Sequence, residues 1–584
     1  MIHLIMLRKI FNQKFILILI ILLATFLRLY KLSADPVSLF GDELDLGYQA
    51  YSILHTGKDY YGNAFPIHFH SLAEWRTPLY LYSAVPTVAI FGITPFGVRL
   101  PAAIFGILSV LMTYLFVKEF LSFKEPPTGK HYRSLLAAFL MAINPWSLQY
   151  SRAGFEATQM IFLLLMGLWL FFKSLKNDKW LWMSVISFVL MPWVYSTAKL
   201  FTPIFLVTLF VLFKNEIISM RKSSLITSIV VGLIVGVPIA YSTLFGGGTQ
   251  RFNYISVFSD PTIETEVGNA RETDARMRGE KGTGLSPKIF DRVIHNKFTF
   301  AGNVIIQNYL SAFSTNFLFV KGDPNLRQSI GMGEFYRVEI IALIFGIIFF
   351  FSEKSRNTKI KILLALWILF GVVPAALTRD GGNHATRLIL ILPPLIFLIA
   401  FGWVGIFNKI SSKYKVLFFV FLASLYTVSF SLYIHEYYVH YPWNSERWWH
   451  AGYKEAIQSV KQIDKNYDKV VISTANEPPW VFFAAWYEYP PEAWQKNFPI
   501  GNDVNIPGLG KVSHIDKFYF GSFSGGLYDW GKEINSKTLY LADAKEVNIN
   551  LIMEPERTPQ DIKLIKTIAY PSGEPAFYLF TGVK

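Results

Sequence analysis

The sequence predicts a polytopic α-helical membrane protein of about eleven spans that carries a small C-terminal α/β outer domain. Three observations lead there. Apolar runs long enough to cross a bilayer recur over the first 437 residues, Lys and Arg concentrate in alternate connections, and the composition changes after Tyr441. The 584-residue chain is 52% hydrophobic and 17% aromatic, which excludes an ordinary soluble enzyme. Its net charge of +14 fits the cytoplasmic loops of a membrane protein better than a nucleic-acid surface. There is no cysteine, so thiol catalysis, Cys-ligated metal and disulfides are excluded.

At the N-terminus, Arg8, Lys9 and Lys14 precede the apolar run from Phe15 to Leu27. Arg28, Tyr30 and Lys31 follow it where a signal peptide would place small residues, so an uncleaved first span is expected. Spans are predicted near 15–31, 98–118, 133–149, 156–173, 180–197, 199–213, 223–245, 338–353, 361–378, 387–407 and 416–436. The run 78–92 is short and contains Pro86. Charge decides its status. If it does not span, the groups Arg8/Lys9/Lys14, Lys118/Lys124/Arg133, Lys173/Lys176/Lys179, Lys214/Arg221/Lys222, Lys354/Arg356/Lys359 and Lys409/Lys413/Lys415 share one side. The opposite short loops then hold only Arg152, Lys199, Arg379 and Arg387. The positive-inside bias thus predicts a cytoplasmic N-terminus, an extracytoplasmic C-terminus, and 78–92 as an interfacial or re-entrant segment.

Two long outer loops result, 32–97 and 246–337. The second opens on Gly246-Gly247-Gly248, and its charged run from Glu264 to Lys281 is expected to be mobile. From Ile289 to Phe319 an amphipathic pattern predicts a segment against the membrane. The expected organisation is a transmembrane domain over 1–437 and an extracytoplasmic α/β domain over 438–584. Helices are expected over 451–463 and 480–487, with strands near 469–474, 518–520, 539–542 and 577–580. Trp443, Trp448 and Trp449 would anchor the domain at the interface.

The chemistry-bearing residues gather on the outer side. Asp42, Glu43 and Asp45 begin a helix-period stretch just past the first span. Their structural reading is a negatively charged helix start; their functional reading is a general base. Tyr60, Tyr61, Asn63, His68, Glu74 and Arg76 lie later in the same loop. Shorter outer connections bring Arg152 and Glu156, Lys199, and the run Arg379 to Arg387 with His384; the second long loop brings Arg327. Arg152 and Glu156 could simply pair at i, i+4, Lys199 could snorkel, and Arg379 and Asp380 could form a solvated pair. Taken together, carboxylates, several cations and aromatic faces at membrane depth suit transfer from a lipid phosphate to a hydroxyl. A divalent ion on the carboxylates is the alternative use of the acids.

Five motifs in order carry a family resemblance: Gly41-Asp42-Glu43; Thr77-Pro78-Leu79-Tyr80; Val98-Arg99-Leu100-Pro101; Asn144-Pro145-Trp146 with Tyr150-Ser151-Arg152; and His384-Ala385-Thr386-Arg387. Over roughly residues 10–410 the chain resembles the GT-C superfamily of polyprenyl-phosphate-sugar glycosyltransferases. Within it, the protein O-mannosyltransferase and lipid A aminoarabinose transferase branch, or dolichyl-phosphate-mannose mannosyltransferase family, is the most similar. The resemblance implies a GT-C-like fold and inverting transfer of a sugar from a polyprenyl-phosphate donor to a protein, glycolipid or cell-wall hydroxyl at the outer face. It makes Asp42 the base with Glu43 beside it, and Arg76, Arg152, Lys199, Arg327, His384 and Arg387 candidates for holding substrate and phosphate. The Ser-Arg-x-x-x-acid segment resembles an oligosaccharyltransferase loop whose acid helps bind metal. That would place Mg or Mn at Glu156 with Asp42, whereas metal-independent relatives imply none. Many relatives have His-Pro-Pro where this chain has Arg76-Thr77-Pro78. The competing readings are a lipid-linked sugar flippase or transporter, a polysaccharide polymerase or ligase, and an adhesion module on a membrane anchor. The expected partners are the lipid donor, the acceptor and the bilayer, with no nucleic acid.

Overall fold

The computed structural model describes residues 13–71, 75–123, 130–284, 286–354 and 356–584. Arg8, Lys9, Glu74 and Lys124 lie outside them. Every span predicted from sequence coincides with a helix among the described residues, from Gln13–Leu29 to Lys415–His435. By length and composition, six helices among the described residues are long and apolar enough to cross a membrane. The outward faces of Lys222–Phe245 and Lys415–His435 expose Ile229, Leu233, Ile234, Val416, Phe419 and Val420, an apolar surface suited to lipid.

Two sequence expectations are refined. The predicted span 133–149 is two helices, Lys130–Ile143 and Pro145–Ser151. Asn144 breaks it: its side chain accepts from the Ser147 N–H, and Pro145 stands at the first helical position, where its missing N–H costs nothing. The charged run expected to be mobile forms the helix Ile263–Met277. Glu264 and Glu266 sit in its first turn, favouring the positive helix end, and Arg276 pairs with Glu272 one turn back. The ambiguous run is the helix Leu79–Phe91, whose 13 residues reach only ~20 Å, short of a ~30 Å hydrocarbon core.

Glycines set the closest helix crossing. Helices Glu339–Ser352 and Leu392–Lys409 approach until a Cβ at Gly346 would lie 2.0 Å from the Leu398 carbonyl oxygen, and one at Gly402 would lie 1.9 Å from that of Ala342. Small residues permit such backbone contact, which replaces the hydrophobic drive missing in lipid.

The C-terminal portion folds around one mixed seven-stranded sheet. In spatial order its strands are Asp503–Ile506, Gly510–Ile515, Phe518–Phe520, Lys469–Ile472, Thr538–Asp543, Pro575–Gly582 and Ile562–Ala569. Lys469–Ile472 runs parallel to both neighbours and every other pair is antiparallel. The four strands expected from sequence are present; Asp503–Ile506, Gly510–Ile515 and Ile562–Ala569 are additional, and the exposed positions along them weaken their apolar signal. Helix Trp480–Tyr487 leaves this sheet and packs Phe482 and Phe483 into one apolar cluster with Leu44 and Tyr48 of the helix Gly41–Thr56. Tyr48 donates its hydroxyl to the Tyr489 carbonyl at 2.9 Å, and Gln495 donates to Ser52, Thr56 and the Asp59 carbonyl.

One buried ion pair fixes the first outer loop. Arg99, in the first turns of the helix Pro95–Phe120, is fully buried and meets Glu43 bidentately, Nε to Oε1 at 2.7 Å and Nη2 to Oε2 at 2.9 Å. Its remaining donors reach the carbonyls of Pro36, at 2.8 Å, and Ser38. The Gly154 N–H adds a 2.7 Å bond to Glu43 Oε1 and joins the next outer connection to the pair.

Two outcomes follow for variants measured by unfolding in detergent. Arg99→Met leaves a buried, uncompensated Glu43 and is expected to cost ~3–5 kcal/mol, with partial recovery in the Glu43→Gln/Arg99→Met double variant. Gly402→Leu is expected to lose at least ~2 kcal/mol or to separate the two helices, read as a lowered unfolding midpoint. An unchanged midpoint in either case contradicts the packing described.

Candidate active site at the first outer loop

Phe40 sets the entry to the helix Gly41–Thr56. It is extended, at φ −83° and ψ 172°, and offers the helix no side-chain cap. Its ring is held instead by Trp449 at 5.2 Å, Phe155 at 5.8 Å and the Arg327 guanidinium at 5.1 Å. The first turn therefore stands in a fixed place, and its three acids meet three environments.

Glu43 is spent on Arg99 and the Gly154 N–H, with no exposed surface. Asp45 is also buried; Tyr60 donates to its Oδ1 at 2.6 Å and Arg76 Nε lies 3.4 Å from Oδ2. Burial pushes the Asp45 carboxyl up to about 6, against the opposing pull of Arg76 and the Tyr60 hydroxyl. Asp42 alone faces outward, with 60% of its side chain exposed, and Arg76 Nη2 meets its Oδ1 at 2.6 Å. Arg76 thus bridges the exposed acid and the buried one.

Arg76 is positioned by a two-stranded ribbon, Phe69–His70 paired antiparallel with Trp75–Arg76. Gln49 of the acidic helix donates to the His70 carbonyl at 2.9 Å, and Thr77 donates to the Val194 carbonyl at 2.6 Å. Just before the ribbon, His68 Nε2 lies 3.1 Å from Lys199 Nζ, and its Nδ1 lies 2.6 Å from Ser242 Oγ. An ammonium can only donate, so Nε2 accepts and the Nδ1 proton goes to Ser242. Burial, with the Lys199 charge second, pulls the His68 imidazole down to about 4 and keeps it neutral for this role. Lys199 also donates to the Gly248 carbonyl at 3.1 Å.

Lys199 forms one wall of an otherwise largely apolar cavity of about 250 Å³, whose lining includes Leu200, Thr243, Phe252, Ile255 and Pro374. The Arg379 N–H donates to the Ile255 carbonyl, and Arg387 braces the same loop through Thr378 Oγ1 at 2.8 Å and Asp380 Oδ1 at 2.6 Å. His384 begins the short helix Ala385–Leu388, whose Ala385 N–H donates to Asp323 Oδ2 at 2.7 Å.

Arg152, expected at the substrate, is turned elsewhere. It is buried and donates to the carbonyls of Leu27, Tyr30 and Asp35 at 2.7, 2.8 and 3.1 Å and to the Tyr437 hydroxyl at 3.0 Å. Its fork is committed to tying the second outer connection to the end of the first helix. Glu156 is half-buried at the start of the helix Ala157–Ser174, and its charge acts on the buried Tyr80. Among the described residues no group of three or more His, Asp or Glu could hold a metal ion. With Glu43 and Asp45 engaged as above, the acids here do not form a metal cage, and no chemistry is routed through one.

Arg327 lies over the Phe40 ring at the start of the Asp42 helix. Its Nε donates to the Trp448 carbonyl at 2.7 Å, and Nη2 lies 3.4 Å from His450 Nε2 and 3.9 Å from Glu477 Oε1. His450 and Glu477 escape sequence reasoning, since nothing local marks them and they come from the C-terminal portion. The structural role of Arg99 did have a signal: a lone Arg at the start of a long apolar run needs a partner.

Residues 76–241 match the model of the dolichyl-phosphate-mannose-protein mannosyltransferase family. The Bacillus subtilis (strain 168) protein named "Putative mannosyltransferase YkcB" is 33% identical over 100 residues, which are 17% of this chain and 13% of YkcB. Two solved structures match at low identity and with TM-scores below 0.5. The Archaeoglobus fulgidus oligosaccharyltransferase, tethered to an acceptor peptide, has a TM-score of 0.49 at 13% identity over 81% of this chain and 63% of its own. ArnT from Cupriavidus metallidurans, bound to undecaprenyl phosphate, has a TM-score of 0.46 at 9% identity over 96% of this chain and 97% of its own. The chain thus spans about an eighth of the curated relative and under two thirds of the oligosaccharyltransferase. Residues 76–241 thus carry the pattern of the dolichyl-phosphate-mannose-protein mannosyltransferase family, the branch that the sequence motifs resemble.

Proposed function

We propose that the protein is an inverting glycosyltransferase that moves a sugar from a polyprenyl-phosphate donor to an acceptor hydroxyl on the outer face of the membrane. In this reading the chain crosses the bilayer eleven times, with a cytoplasmic N-terminus and with 438–584 as an extracytoplasmic domain. The observation that supports it best is the ribbon of Phe69–His70 and Trp75–Arg76. One end presents Arg76 to the exposed Asp42, and the segment leading into the other sets His68 on Lys199 beside an apolar cavity. A carboxylate and a cation contacted from one short segment of chain are what such a transfer needs.

The acceptor hydroxyl gives its proton to Asp42 as its oxygen attacks the anomeric carbon of the sugar. The bond from that carbon to the phosphate oxygen breaks with inversion, its electron pair stays on oxygen, and polyprenyl phosphate departs. Arg76 holds the Asp42 carboxylate in place. Lys199, aimed by neutral His68, meets the charge that grows on the phosphate. The prenyl chain lies along Leu200, Phe252, Ile255 and Pro374, a wall braced by Arg387. Glu43 and Arg152 are positioning residues in this scheme, because their polar atoms are already committed.

In nanodiscs supplied with radiolabelled undecaprenyl-phosphate mannose, Asp42→Asn is expected to lower transfer ~10²–10⁴-fold with an unchanged unfolding midpoint. Turnover retained by a folded Asp42→Asn protein rejects the base assignment. Lys199→Gln is expected to weaken binding of polyprenyl phosphate ~10–100-fold, the worth of one charge-assisted hydrogen bond, and to flatten its salt dependence. Equal affinity in that variant removes the phosphate from this cavity.

A further inference from the structure

We infer that the C-terminal portion completes the site as its acceptor wall: Glu477, oriented by His450 and Arg327, positions a sugar or polyol acceptor opposite Asp42. The inference rests on the transfer reaction proposed above and names its acceptor class.

The geometry starts at His450. Its side chain is buried, its backbone is left-handed at φ +51°, and Nε2 lies 2.9 Å from Glu477 Oε1. Its Nδ1 is buried without a hydrogen-bond partner among the described residues. A non-glycine residue held in that backbone region with an unsatisfied buried nitrogen costs free energy twice, and such costs concentrate where a side chain must point one way. What the strain secures is Glu477, on a loop, with 41% of its side chain exposed. The His450 hydrogen bond, aided by the charge of Arg327, holds the Glu477 carboxyl below its ordinary range although Asp42 is near enough to oppose it. Arg327, 3.9 Å from Glu477 Oε1, also stacks over Phe40 two residues before Asp42, so one guanidinium links the Glu477 loop to the start of the Asp42 helix.

Aromatic rings surround His450, Arg327 and the start of the Asp42 helix. His450 packs edge-on to Phe482 at 4.9 Å, and the Phe482 ring lies 3.8 Å from where a Cβ at Gly41 would stand. Arg327 stacks over Phe40 at 5.1 Å and Trp448 at 5.9 Å, and Trp448 is 39% exposed. A fixed carboxylate accepts hydrogen bonds from vicinal hydroxyls, and an exposed indole stacks on the apolar face of a sugar ring. That combination favours a carbohydrate headgroup over a peptide, whose recognition would rest on backbone pairing or on pockets for side chains.

The test uses the full chain in nanodiscs with undecaprenyl-phosphate mannose and two acceptors, a diglucosyl-diacylglycerol and a Ser/Thr-rich peptide. Wild-type protein is expected to transfer to the glycolipid. Glu477→Gln should raise the glycolipid KM at least ~10-fold while kcat and polyprenyl-phosphate binding stay within ~2-fold. His450→Asn, which tolerates the left-handed backbone but cannot reach Glu477, should reproduce that split with an unchanged unfolding midpoint. Unaltered KM in a folded Glu477→Gln protein overturns the positioning role, and transfer to the peptide alone overturns the acceptor class. Both of those results leave donor turnover intact. Loss of all donor binding and turnover in wild-type protein overturns the transfer reaction itself, and this inference with it.

Discussion

A buried arginine dictates how the loop after the first helix is arranged. Arg99 opens a helix whose next twenty residues are nearly all apolar, and burying its guanidinium unpaired would cost several kcal/mol. Glu43 and the carbonyls of Pro36 and Ser38 satisfy it, and all of them come from the first outer loop. The loop must therefore fold down onto the bundle, carrying the start of the helix Gly41–Thr56 with it. The Gly154 N–H on the same carboxylate and the Arg152 fork on the carbonyls of Leu27, Tyr30 and Asp35 extend the constraint to the next connection. Electrostatic necessity thus does here what hydrophobic packing does in a soluble core.

That necessity divides the acids. A carboxylate chelated by a buried guanidinium cannot accept a proton without breaking the pair, which makes Glu43 a poor base however close it lies. Asp45 is disfavoured for the opposite reason: burial already draws a proton to it in mildly acidic conditions, and Tyr60 occupies one oxygen. Asp42 escapes both constraints because it projects from the same turn toward solvent, and Arg76 keeps it oriented without enclosing it. Two adjacent acids in a motif read alike in sequence, and only their surroundings separate them.

The legibility of the chain follows the same physics. Apolar length was enough to place a helix within every predicted span, because a bilayer demands that length. Asp42, Arg76 and Lys199 were legible as charges next to predicted spans. The commitment of Arg152 to carbonyls was not, since any arginine near a helix end presents the same local pattern. Nor could Glu477 and His450 be read, because their meaning depends on a domain contact and not on spacing. Ile263–Met277 shows the converse error: its composition resembles disorder, while its placement of acids early and Arg276 late is that of a stable helix.

The contact between the first outer loop and the C-terminal portion has a consequence for how the site forms. Tyr48 and the Tyr489 carbonyl are 441 positions apart, and Gln495 reaches Ser52, Thr56 and Asp59 across a similar gap. Phe482 and Phe483 share one apolar cluster with Leu44 and Tyr48, and Tyr80, Leu81 and Val88 belong to the same cluster, so the helix that bears Asp42 is packed between Leu79–Phe91 and the C-terminal portion. The Phe40 ring at the start of that helix rests on Trp449 of the same portion. The placement of the exposed carboxylate therefore depends on residues from both parts of the chain. A reactive group held from two sides in this way keeps its position only while the surface proposed to hold the acceptor stays docked.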